Sequence, residues 1–114
     1  MKLTINRSQA SQKGVFGGDK GVNFSFACKV EVSEEERVLI ERYGLGVHPI
    51  AAYTSGAGKS LDLRFRDIEK GFSDTRQSLG ELLELEQKVL EGCREVKGLA
   101  QLRSTYGGEE TIEI

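Results

Sequence analysis

The chain of 114 residues has no tryptophan, one proline, one methionine, one histidine and two cysteines. With His48, beside Pro49, as its single imidazole, an acyl-transfer triad would need that residue to meet a distant nucleophile. It reads as an ordinary loop histidine. Cys28 and Cys93 are isolated, so together with one histidine they lack the clustered spacing of a zinc site. Both fall in apolar patterns, where a free thiol behaves as a small hydrophobe, and no disulfide is expected. Neither a metal nor a cofactor is implied. No run approaches the roughly 20 apolar residues that span a bilayer. Met1 to Lys13 is polar and alternating where a secretory leader would be apolar. A cytoplasmic protein without membrane contact is therefore expected. Charge of one sign is also missing: 16 Lys and Arg stand against 18 Asp and Glu, a net charge of -2. That balance creates no broad positive field, so nucleic acid is not an expected partner.

What is present suits one hydrophobic core. Hydrophobic residues make up 38% and charged residues 30% of a chain of single-domain length, so residues 1–114 read as one domain. From Val22 to Val32 apolar and polar residues alternate, the period of a strand with one face on a core. Leu3 and Ile5 alternate in the same way, and the glycine-rich link between the two suits a hairpin loop. Ser33 with Glu36 forms a capping box that opens a short helix, closed at Gly44 and Gly46. A strand is expected near Ile50 to Tyr53 and another over Leu61 to Phe65. One helical turn follows near Asp67 to Lys70, and Gly71 to Gln77 suits a polar edge strand. Ser78 with Glu81 repeats the capping pattern and starts a helix that runs to about Tyr106, before Gly107 and Gly108. Thr111 to Ile114 alternates again and is expected to return to the sheet.

On the long helix Leu79, Leu82, Leu83, Leu85, Val89, Leu90, Cys93, Val96 and Ala100 share one broad stripe. Leu99, Leu102 and Tyr106 fall outside it, are expected to face away from the sheet, and form the candidate interface. Glu81, Glu84, Glu86, Glu91 and Glu95 read as a solvated face, with Glu84–Lys88 and Glu91–Arg94 as surface pairings. The expected fold class is α+β: an antiparallel sheet of four or five strands, one long helix packed across it, and a short flanking helix.

Two glycine-rich segments invite a phosphate. Gly58-Lys59-Ser60 has the end of a nucleotide-binding loop, yet Tyr53 stands where its first glycine belongs. Leu61 to Phe65 also alternates as a strand, where a helix should supply amides. Hydrolysis is not expected. If that loop met Gly17-Gly18-Asp19-Lys20-Gly21, then Gly17, Gly18, Lys20, Lys59, Ser60 and Arg64 could hold a nucleotide-like phosphate without cleaving it.

The opening Met1 to Arg7, the segment Phe16 to Lys20 and the run Tyr106 to Glu110 resemble short proteins of bacterial, phage or plasmid origin. The resemblance implies an accessory or inhibitory protein of a mobile element and no catalytic residue. The expected function is thus non-catalytic binding: an inhibitor or adaptor that forms a homodimer and occupies a host protein. The alternative is a sponge for a nucleotide-like small molecule.

Overall fold

In a computed structural model the described residues are 1–13, 19–45, 49–54 and 60–114; the side chains of 12, 13, 19, 20, 49, 51–54, 60 and 61 are not among them. The order of elements is β1 (Lys2–Lys13), β2 (Asp19–Glu31), α1 (Glu34–Arg42), β3 (Pro49–Thr54), β4 (Ser60–Arg64), α2 (Phe65–Lys70), β5 (Phe72–Arg76) and α3 (Leu79–Thr105). The class is α+β. The strands divide into two sheets: a three-stranded antiparallel sheet of order β1-β2-β5 and a separate β3–β4 ribbon. Among the described residues one continuous sheet of four or five strands does not form, because the ribbon packs against α3 and does not join the larger sheet.

Register explains which side chains go inward. Cys28 pairs with Ile5 and with Phe72, and Phe26 with Asp74, so Leu3, Ile5, Phe24, Phe26, Cys28, Val30 and Phe72 share the face that meets the helices. On that face the rings of Phe26 and Phe72 lie 5.9 Å apart. The opposite face carries Thr4, Asn6, Ala27, Lys29, Ser73 and Thr75, all exposed. β1 is much longer than its apolar pattern, since Ser8 to Lys13 pair with β2 through backbone bonds that any polar residue can make. β5 reaches only Phe24 to Cys28, so the hairpin beyond Asn23 projects as a two-stranded arm. The radius of gyration is accordingly 18.4 Å, against the roughly 13 Å of a compact chain this long.

α1 begins at its capping box: the Ser33 hydroxyl accepts from the Glu36 amide at 3.1 Å, and the Glu36 carboxylate accepts in return from the Ser33 amide. α3 begins at Ser78, whose hydroxyl accepts from the Glu81 amide at 3.3 Å. Its buried side is Leu82, Leu85, Glu86, Val89, Gly92, Cys93, Val96 and Ala100. Leu79 and Leu83, expected in this stripe, are about half exposed, because the sheet beside the first turn narrows to the hairpin arm. Leu99, expected to point outward, is partly buried against the core. Two turns earlier on the same helix Gly92 lies directly on Ile50 of β3. At the far end of α3 the Arg103 guanidinium stacks over the Tyr43 ring, 5.0 Å from its centroid.

Thr111 to Ile114 does not return to the sheet. Gly107 and Gly108 adopt positive φ and lead the chain away, and residues 106–114 form no strand. Alternation shows that a segment suits a strand; it does not supply a neighbour. Among the described residues no helix is long and apolar enough to cross a membrane.

Candidate functional site

The most chemically distinctive feature is Glu86, a carboxylate on the buried side of α3 and 5% exposed. It shares helical phase with Leu82, Val89 and Cys93, and the surface above it belongs to β1 and β2. Arg7 occupies the same strand phase as Leu3 and Ile5, so it too points toward the helices. Its Nε donates to Glu86 Oε1 at 2.6 Å while its side chain stays 63% exposed. The other carboxylate oxygen, Oε2, is buried and has no hydrogen-bond partner within the protein. A buried acceptor left unmatched costs about 1–3 kcal/mol, more for a charged group, so this oxygen favours a donor.

Around this pair lies a groove of about 310 Å³ between the start of α3 and the underside of the hairpin. Leu82 forms its floor, and Phe24, Leu79 and Leu83 form apolar walls. Gln9 and Ser25 add polar groups at the strand side. The lining suits an apolar body that carries one N–H donor, because Glu86 brings a carboxylate with one unmatched oxygen to the groove and Arg7 already offsets part of its charge. A second groove of similar volume, between α1 and α2, has a floor of Val32, Ile40 and Phe65. Arg37 there is already in ion contact with Glu69.

Glu86 corrects the expectation that it belongs to a solvated acidic face. The signal was present in the sequence: Glu86 is four residues after Leu82 and three before Val89, on the apolar stripe. Arg7 continues the apolar phase of its strand in the same way. A charge of each sign, each on the buried phase of its own element, marks a pair that can meet only in three dimensions.

Of the phosphate candidates, Gly17, Gly18 and Lys59 lie outside the described residues, as does His48. The backbone of Lys20 is in β2 and that of Ser60 in β4, while both side chains lie outside the description. Arg64 is at the opposite end of β4 from Ser60, about 13 Å away along the strand. There its backbone N–H donates to Asp67 Oδ2 at 3.1 Å and caps α2. Of the candidate interface, Leu102 and Tyr106 are 55% and 83% exposed. Leu99 is not with them.

Cys28 and Cys93 are free and buried. Burial pushes both thiols up to about 11, with mutual repulsion and the nearby Glu86 charge adding to the effect at Cys28. Among the described residues no three metal-binding side chains converge. In comparisons with known proteins, no family model, curated protein or solved structure matches this chain.

Proposed function

We propose that this is a non-catalytic binding protein of the inhibitor or adaptor kind. Its partner is another protein that presents a lysine or arginine between apolar side chains. The observation that carries this reading is the buried carboxylate of Glu86, which lines a groove with apolar walls and has one oxygen, Oε2, without a partner within the protein. A cationic side chain satisfies that oxygen, and its aliphatic stem and neighbours cover Leu79 and Leu83. The resemblance to accessory proteins of mobile elements supports a host protein as the partner, and a cytoplasmic setting goes with that proposal.

The test is selection of a random peptide library on the full chain, repeated on Glu86→Gln. Enrichment of one basic residue flanked by apolar ones, lost in the variant, is the expected result. Enrichment that ignores the substitution, or none at all, overturns the assignment of the groove. Thermal stabilisation by nucleotides without peptide selection would favour the phosphate-binding alternative.

A further inference from the structure

We infer that Glu109 to Ile114 of one copy adds to the outer edge of β1 in a second copy as an antiparallel strand. This does not rest on the peptide-binding reading of the Glu86 groove. β1 pairs with β2 on one side, and among the described residues no strand lies on its other side. A long free edge offers a row of unpaired backbone donors and acceptors, a template for an added strand. The charged residues of this strand are Lys2, Arg7 and Lys13, all positive. Pairing of β1 with another β1 would therefore set like charges side by side.

The segment after α3 has the opposite character. Glu109, Glu110 and Glu113 are its only charged residues, and Thr111-Ile112-Glu113-Ile114 has the alternation of a strand. Ile112 is 71% exposed and Ile114 fully so. One antiparallel register satisfies every feature at once. With Ile112 opposite Ile5, Ile114 falls opposite Leu3 and extends the apolar row on the helix side. Glu110 then falls opposite Arg7, and Glu113, on the open face, stands diagonal to Lys2. A parallel arrangement with the same isoleucine matches puts Glu110 beside Met1 and loses the Arg7 pairing.

The donor of this strand is a second copy. Within one chain Glu86 stands at Arg7, and Thr105 lies about 28 Å further along α3. Glu110 is five residues beyond Thr105, at most roughly 17 Å of extended chain. To pair antiparallel with its own Arg7 the segment would have to double back along α3, and its roughly 17 Å fall short of the roughly 28 Å to be covered. Reciprocal exchange between two copies closes a two-fold dimer.

The experiment combines sedimentation of the full chain with site-specific crosslinking. The full chain is expected to sediment at twice its 12.6 kDa, and a chain lacking residues 109–114 as a monomer. A monomeric full chain, or a dimer that survives the deletion, overturns the proposal. The register places Thr111 opposite Asn6 on the solvent-facing side, away from the buried native thiols. Mixing Asn6→Cys with Thr111→Cys protein under mild oxidation should give a disulfide-linked dimer absent from either protein alone. Failure to crosslink refutes this register. A link that forms within one chain carrying both substitutions assigns the segment to its own sheet and refutes the exchange.

Discussion

Replacing Gly92 by alanine should weaken the protein, although alanine is the better helix former. Gly92 is on the buried side of α3, where a Cβ would stand 2.0 Å from Ile50 Cγ2 and 2.7 Å from the Ile50 carbonyl oxygen. The methyl of Ile50 can turn away. The carbonyl cannot, because it belongs to β3, which is bonded to β4. Carbon–oxygen contacts need about 3.3 Å, so the ribbon must retreat by at least about 0.6 Å. That movement loosens Ile50 and Leu63, both buried in the common core. Overpacking of this kind costs about 1–3 kcal/mol, against a gain of about 1 kcal/mol in helix propensity. A net loss of up to about 2 kcal/mol is expected. Gly98, two residues before Ala100 on the same helix, is the control: nothing lies within 4 Å of a Cβ there. Gly98→Ala should stabilise by about 0.5–1 kcal/mol. Urea denaturation of both variants, with midpoint and slope compared to the parent, measures the difference. Equal stabilisation by the two substitutions would refute the close seating of β3 on α3.

Arg7→Ala should cost about 1–3 kcal/mol in urea denaturation, since Arg7 is largely exposed while the Glu86 it leaves behind is buried, and adding Glu86→Leu should recover most of it. If the double variant is no better than Arg7→Ala, the pair is not the reason for the loss. The buried thiols should react with a thiol reagent at pH 8 about 100-fold more slowly than an unperturbed cysteine, because their pKa lies near 11 rather than 9. For the same reason the unfolded chain ionises first. The thiol contribution is fully present below pH 9 and declines up to about pH 11, so unfolding free energy should fall across that window. Ser33→Ala should cost about 1 kcal/mol and speed amide exchange in the first turn of α1, whereas unchanged exchange there would deny the capping box its role.

Local chemistry was legible residue by residue. The alternation of Val22 to Val32 became β2, Ser33 with Glu36 capped α1, and Ser78 with Glu81 opened α3. These signals work because strand period and helix capping are decided by neighbours within a few residues. Ser8 to Lys13 carry no apolar phase that names an inward face, since a backbone ladder accepts almost any side chain and depends on its partner strand. The candidate site was half visible: Glu86 broke an apolar stripe and Arg7 an apolar strand phase, yet nothing in either pattern named the other.

The sequence by itself determined the class, the helix starts and the inward face of β2, because those follow from composition and spacing along the chain. Only the tertiary structure decided that β3 and β4 leave the main sheet to cover α3, through contact at Gly92 that depends on the absence of one carbon atom. It alone decided that Glu86 is buried against Arg7, and that Glu109 to Ile114 stays outside while, among the described residues, β1 keeps an open edge. These outcomes are set by which surfaces meet across long stretches of chain, and sequence periodicity records only which surface each element has to offer.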